Sequence, residues 1–403
     1  MIKVLHFADL HLGVENYGKL DAATGLHTRL LDFLRSLDEL VEYALKERVD
    51  LVLFAGDAYK NRDPNPTHQR EFAKRIRQLA AADIPVFLLI GNHDLPNLVG
   101  RANTLDIFAT LEVPNVYVGR KLAVHRIQTR SGPLQIVALP WIVRNHLLSR
   151  EEYKNRTITE IDELAIAAVE KLLQEAIRSL DPLVPTILAA HGSVQGAVYG
   201  SERSVMLGQD IILPRNLLTH QAFDYVALGH IHRHQELASN PPVVYSGSLD
   251  RVDFGEEREA KGFVVAEIER GNARYQFVEL ASTRPFVTVE VQADGADPMA
   301  QVCEAIAGHK LQEAIVRLII HTTVEKNHLL DNNEIHRLLD QAFKVAAIVR
   351  DVRREPRLRL GSNQSVEQMT PLEVLRLYLQ ARQVEKQRME KLLEYARRIM
   401  SDG

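Results

Sequence analysis

The feature that most constrains the fold is a series of short apolar runs, each ending in a small polar cluster. The runs cover residues 2–8, 51–55, 86–90, 135–139, 186–190, 225–228 and 243–245. Most are continuous rather than alternating, as strands buried on both faces require. Between them, apolar residues recur at helical spacing over 28–47, 67–81 and 159–179. Strands alternating with helices imply an α/β layered domain, here residues 1–281.

The pattern changes after Glu279. Residues 282–285 read as a junction, 286–291 as a strand, 299–308 as a helix, 314–320 as a strand and 333–343 as a helix. This is a small α+β unit of its own, residues 282–349. Residues 350–359 (RDVRREPRLR) read as the start of a basic and polar linker, 350–369, with Arg350, Arg353, Arg354, Arg357 and Arg359 against Asp351 and Glu355. These arginines are candidates for contact with DNA or a partner protein. The final segment, 370–403, reads as two short amphipathic helices. Thr370 suits the cap of the first, Pro371 its first position, and Glu373 completes a capping box. Leu372, Leu375, Leu379, Met389, Leu392, Leu393, Ala396 and Ile399 recur at helical spacing. Helices with so little core of their own suit docking onto another protein.

Composition excludes several classes. The chain has 403 residues, 46% of them hydrophobic and 25% charged, as in ordinary globular proteins. No apolar run reaches the ~18 residues of a membrane helix, so no membrane association is expected. The first residues, MIKVLHFADLHLG, read as a buried strand rather than a signal peptide. Cys303 is the single cysteine, which excludes an internal disulfide and a thiolate zinc site. A cytoplasmic location is the expectation. The formal net charge is -4, so any affinity for nucleic acid must come from a local patch or from bound metal. There is no GxxxxGK[ST] phosphate loop.

Five polar clusters follow predicted strands: Asp9-Leu10-His11, Gly56-Asp57, Gly91-Asn92-His93-Asp94, His191-Gly192 and Gly229-His230-Ile231-His232. Open α/β sheets bind ligands beyond the carboxyl ends of their strands. Carboxylates, an amide oxygen and imidazoles suit divalent ions such as manganese, iron or zinc. The donors are too many for one tetrahedral zinc. Two ions ~3.5–4 Å apart sharing a carboxylate fit better, and such pairs serve phosphoryl chemistry.

The ordered series D-x-H, GD, GNHD, H and GHxH resembles the calcineurin-like metallophosphoesterase superfamily. More narrowly, GHIHRHQ, YSGSLDRVDFGE, KGF and TPLEVLRLYL extend a resemblance to the SbcD family of nuclease subunits over nearly the whole chain. The resemblance implies a four-layer α/β sandwich of two sheets flanked by helices, a cap domain contacting DNA, and a C-terminal segment gripping an SbcC-like ATPase of the SMC class. It implies one metal held by Asp9, His11, Asp57 and His232. The other is held by Asp57, Asn92, His191 and His230, with Asp57 as the bridge. Manganese is the first expectation for both, with magnesium or iron as alternatives. His93 matches the family's histidine that protonates the leaving sugar oxygen. The family commonly carries GDxxD, whose second Asp orients that histidine in related phosphatases. Lys60 stands there in this chain, which leaves Asp63 or Asp94 as substitutes. His234 is a further neighbour that suits a structural or phosphate contact.

By the same resemblance the chain is a double-strand DNA exonuclease, 3′ to 5′, and an endonuclease at hairpins and blocked ends. It acts in DNA repair, recombination and replication as a homodimer within a heterotetramer, in the nucleoid. The core motifs alone equally permit a phosphoesterase for nucleotides or other small phosphodiesters.

Overall fold

The computed structural model describes residues 1–96, 101–143, 156–200, 210–353, 370–382 and 384–401. The chain divides into two compact units. One comprises residues 1–288, 309–317 and 339–347, and the other 289–308, 318–338 and 348–403.

The first unit contains two six-stranded sheets. With strands numbered along the chain, the first sheet holds β1 (Ile2–Phe7), β2 (Leu51–Phe54), β3 (Val86–Leu89), β4 (Val116–Gly119), β13 (Gly262–Glu269) and β14 (Asn272–Glu279), in the order β14-β13-β1-β2-β3-β4. The second holds β5 (Ala123–Thr129), β6 (Gly132–Leu139), β7 (Thr186–His191), β10 (Tyr225–Gly229), β11 (Gln235–Ser239) and β12 (Pro242–Tyr245), in the order β11-β12-β10-β7-β6-β5. In the first sheet β1 to β4 run parallel and the β13–β14 hairpin adds antiparallel to β1; in the second, β12, β10, β7 and β6 run parallel and β11 and β5 close the edges antiparallel. A short parallel pair, β8 (Ser193–Val194) and β9 (Ile212–Leu213), follows β7.

Continuous apolar runs are needed because both faces of these strands are buried. Val4, Leu51, Leu53, Phe87 and Leu89 face the second sheet and meet Ile136, Ala138, Ile187, Ala189 and Val244. Their neighbours Leu5, Val52, Phe54, Val86 and Leu88 face the other way, onto Phe33, Leu37, Leu40, Phe72 and Ile76 of helices Thr28–Glu47 and Pro66–Ala81. Behind the second sheet, Val137, Leu139, Leu188 and Val226 pack on Val169 and Leu173 of helix Ile158–Arg178. The result is the expected four-layer α/β arrangement. Each fully buried Leu, Val or Phe contributes about 1.5–3 kcal/mol.

Helix starts follow local chemistry. Asn65 caps the second helix, with Pro66 inside its first turn. Thr157 and Glu160 form a reciprocal capping box on Ile158–Arg178. The sequence pattern does not anticipate the hairpin of β13 and β14, because β14 alternates exposed and half-buried residues in a polar stretch.

A separate sheet joins β15 (Phe286–Gln292), β16 (Ile315–Thr323) and β17 (Lys344–Arg353), with β16 in the middle. The reading of residues from 350 onward as linker therefore needs correction, since β17 continues to Arg353. Its last residues, 350–353, look like a charged loop in sequence, but their alternating exposure suits an edge strand. In the second unit, helices Pro371–Ala381 and Lys386–Ser401 bury Leu379, Met389 and Leu393 against one another. The Thr370–Glu373 capping box is present. No helix among the described residues is long and apolar enough to cross a membrane.

Candidate metal centre

The five polar clusters meet beyond the carboxyl ends of β1, β2, β3, β7 and β10. Sharp turns aim their side chains inward. Asp9, His11, Asp57 and His230 all have positive φ, at 51°, 47°, 65° and 103°, a conformation uncommon outside glycine but tolerated by Asp and His. Such strain persists only where surroundings enforce it. Here two loops are zipped together, with Asp9 N donating to Gly56 O (3.0 Å), Leu10 N to Asp57 O (2.9 Å) and Leu12 N to Ala58 O (3.0 Å). Asp9's carboxylate accepts from His230 N at 2.9 and 3.0 Å, which ties the first sheet's loop to the second sheet's.

The donor atoms converge. Asp9, His11 and His232 form one cluster and Asp57, His191 and His230 another, with His11, Asp57 and His93 between them. The Nε2 atoms of His11 and His232 lie 3.0 Å apart. Asn92 Oδ1 is 3.0 Å from His191 Nε2 and 3.1 Å from His230 Nδ1. Asp57 Oδ2 lies 3.4 Å from His191 Nε2 and 3.9 Å from His11 Nε2, which places it between the two groups.

Three imidazoles are held from behind through the nitrogen facing away from the centre. His191 Nδ1 meets Ala55 O at 2.6 Å, His230 Nε2 meets Asp210 at 2.8 Å, and His232 Nδ1 meets Glu256 at 2.7 Å. That arrangement leaves a lone pair on each inward nitrogen, as metal-binding histidines require. Burial alone would raise the Asp57 carboxyl, but the charge and hydrogen bond of His191, with the charges of His93 and His11, hold it well below the usual range. Burial would lower His191, yet Asp57 overrides it and pushes the imidazole up to about 9. Burial pushes Asp9 up and His11 down. The oxygen and nitrogen donor set, its convergence and its outer hydrogen bonds fit a divalent cation.

The family model described as "Calcineurin-like phosphoesterase" matches residues 2–234, the stretch that holds all five clusters. The chain belongs to the calcineurin-like phosphoesterase family. Among curated relatives, an SbcCD nuclease subunit from Rhodobacter capsulatus is 28% identical over 327 residues, covering 76% of this chain and 75% of its own. Its namesake from Staphylococcus saprophyticus is 26% identical, covering 72% of each chain. A "DNA double-strand break repair protein Mre11" from Thermoplasma acidophilum is 25% identical, covering 72% of this chain and 68% of its own.

In this phosphoesterase the His93 ring has a defined anchor despite Lys60. Its Nδ1 is 2.7 Å from the backbone oxygen of Lys60. The side chain of residue 60 is therefore not needed to orient His93, because the peptide carbonyl does so. Asp94 does something else, since its buried carboxylate accepts backbone N–H bonds from Asp57 (2.9 Å), Ala58 (3.0 Å) and Gly91 (2.9 Å) and so fixes the loop carrying Asp57. Asp63 is exposed. His234 bonds to Tyr245 O at 2.9 Å and stacks on Phe277, with ring centroids 4.2 Å apart. Trp141 walls the centre, its ring 4.9 Å from that of His230.

Arg350 bonds to Asn327 and Asn332, and Arg353 to Asp294, so both have partners within the second unit. Arg354, Arg357 and Arg359 lie outside the described residues. Sequence reasoning missed Asp210, Glu256 and Lys261. Glu256 and Lys261 lie in the DFGE and KGF stretches, where charged residues look like a solvated loop until the fold buries them.

Proposed function

We propose that the chain is a DNA nuclease of the SbcD kind that hydrolyses phosphodiesters with two divalent metal ions. The convergence of Asp9, His11, Asn92, His191, His230 and His232 around Asp57 is the observation that carries the reading. Relatives named for DNA double-strand break repair and for the SbcCD nuclease support DNA as substrate.

One ion is assigned to Asp9, His11, Asp57 and His232, and the other to Asp57, Asn92, His191 and His230, with manganese preferred. Bound ions of this kind lower the pKa of a coordinated water and offset charge on the phosphate. The chain's own contributions are placement and a proton. Lys60 O accepts the hydrogen bond from His93 Nδ1–H, which leaves Nε2 free to face the leaving sugar oxygen and donate a proton to it. Asp94 keeps the Asp57 loop rigid, and Trp141 limits water on one side.

The reading includes double-strand exonuclease action, 3′ to 5′, and endonuclease action at hairpins and blocked ends. It takes residues 282–349 as a DNA-contacting cap. It takes 370–403 as the docking segment for an SMC-like ATPase, which supplies the ATP chemistry for which this chain has no phosphate loop. Exposed Tyr378, Leu392, Tyr395 and Ile399 give those helices an apolar face for such a partner. A homodimer acting at the nucleoid in repair and recombination completes it.

The test is purified protein with manganese on hairpin and duplex DNA and, in parallel, on nucleotides and small phosphodiesters. Cleavage of DNA that is lost in Asp57→Ala supports the reading. His93→Gln should lose cleavage while keeping metal affinity. Turnover of nucleotides without DNA cutting would refute it.

A further inference from the structure

Glu256 lies in the short turn Phe254–Glu256 and is fully buried. Its two carboxylate oxygens face different ways. Oε1 is 2.7 Å from His232 Nδ1. Oε2 is 2.8 Å from Lys261 Nζ and accepts from Val252 N at 3.0 Å and Ser248 Oγ at 3.4 Å. Lys261 is also buried, and its ammonium reaches His232 O (3.1 Å), Ser248 Oγ (2.8 Å) and Glu259 (2.9 Å).

Burying a charge pair costs several kcal/mol per ion before attraction offsets it, and apolar residues of similar size often serve stability as well. An apolar pair would leave His232 Nδ1 without the acceptor that Glu256 Oε1 supplies at 2.7 Å. An ionised carboxylate only accepts hydrogen bonds. Facing Nδ1 of His232, it places the ring proton there, which leaves the lone pair on Nε2. That atom is the one directed at His11 in the cluster with Asp9.

We propose that Glu256, held by Lys261, is a positioning residue that fixes the tautomer and orientation of His232 for metal binding. The inference rests on the two-metal reading above and assigns to one histidine of that site a partner outside the five motifs. Lys261 anchors the outer oxygen, so the inner one cannot rotate away from His232.

Glu256→Gln tests it with little change of shape. The amide has one acceptor and one donor side. Two donors, from Lys261 and Val252, compete for its oxygen, so the NH2 group turns toward His232 Nδ1. His232 must then accept there and carry its proton on Nε2, which removes the lone pair from the centre.

Two measurements follow. Long-range ¹H–¹⁵N correlation spectra of metal-free protein, with the His232 signals assigned by their loss in His232→Asn, should show the Nδ1–H tautomer in the native chain and Nε2–H in Glu256→Gln. Calorimetry with manganese should show one of two sites weakened about 10–100-fold and the other unchanged. An unchanged tautomer in a folded Glu256→Gln, or unchanged affinity at both sites, overturns the proposal. If that variant does not fold, the native spectrum still decides, because an Nε2–H tautomer in the native chain overturns it. Failure of the native chain to bind two manganese ions would instead sink the proposed function, and the metal-free spectrum would still judge Glu256.

Discussion

Gly91→Ala is the smallest change that should disable the centre. A methyl group added at Gly91 would lie 2.2 Å from Asp57 Oδ1, 2.5 Å from Asp57 N and 2.9 Å from Asp57 Cγ. Optimal separation between non-bonded heavy atoms is roughly 3.5 Å, so the carboxylate must retreat by about 1 Å. Nothing nearby yields cheaply. Asp57 Oδ1 is fixed by His93 N at 2.8 Å, and Gly91 N is fixed by Asp94 at 2.9 Å. Overpacking at a buried position costs about 1–3 kcal/mol of stability. A 1 Å displacement of a reacting group costs on the order of 10²-fold in rate. Gly91→Ala should therefore unfold at lower urea, bind manganese more weakly and lose about 100-fold in kcat/KM on a phosphodiester. Gly308→Ala is the matched control. Gly308 has right-handed helical backbone, and an added Cβ would meet nothing closer than 3.5 Å. It should be neutral or stabilising by about 0.4–1 kcal/mol. A Gly91→Ala protein with native metal affinity and a kcat/KM within about twofold of native would refute the reasoning, since Asp57 would then have moved without cost.

Three further outcomes are expected. Arg284 bonds to Asp32 through both Nε and Nη2 at 2.8 Å and lies over the Phe343 ring, so Arg284→Ala should cost about 3 kcal/mol in urea unfolding, and a loss under about 1 kcal/mol would count against the pair. His321 is held above its ordinary value by hydrogen bonds to Glu290 and then Asp351. A raised folded pKa means this stabilisation is complete below the ordinary value of 6.5 and fades as pH rises through the folded value. The urea midpoint of the native chain should therefore drop more across that window than that of His321→Gln, and parallel curves would show the pairing to be inert. Thr370→Ala removes the capping box of Pro371–Ala381 and should raise hydrogen exchange through that helix by an amount equivalent to about 1 kcal/mol, while unchanged protection would mean the cap is idle.

Legibility in the sequence depends on where each signal lies. Continuous apolar runs announce β1, β2, β3, β7 and β10, because burial on both faces leaves no room for polar alternation. The same rule passes over β14, which alternates with water-facing positions, and the end of β17, where residues 350–353 are mostly charged. The donors are legible for a related reason. A chain leaving the carboxyl end of a buried strand can present few polar residues, and those present, Asp9, Asp57, Asn92, His191 and His230, all reach the same space. Lys60 misleads only because a sequence displays its side chain, while its carbonyl is what acts. Backbone groups carry no sequence letter.

The illegible part shares one physical cause. Each inward nitrogen of the centre needs a group behind it, and that group can come from any segment the fold brings near. For His191 it is the carbonyl of Ala55, which any residue could supply. For His230 it is Asp210, 20 residues earlier, and for His232 it is Glu256, 24 residues later. Such residues have no spacing rule, and a buried Lys–Glu pair reads as surface charge. The strained turns at Asp9, His11, Asp57 and His230 follow the same logic from the other side. Their positive φ values would relax if the loops were free, so the carboxylate of Asp94 and the crossed bonds from His230 N to Asp9 must hold them. The motifs therefore name the atoms that face the centre. The residues that decide whether those atoms point correctly are scattered, and only the folded chain identifies them.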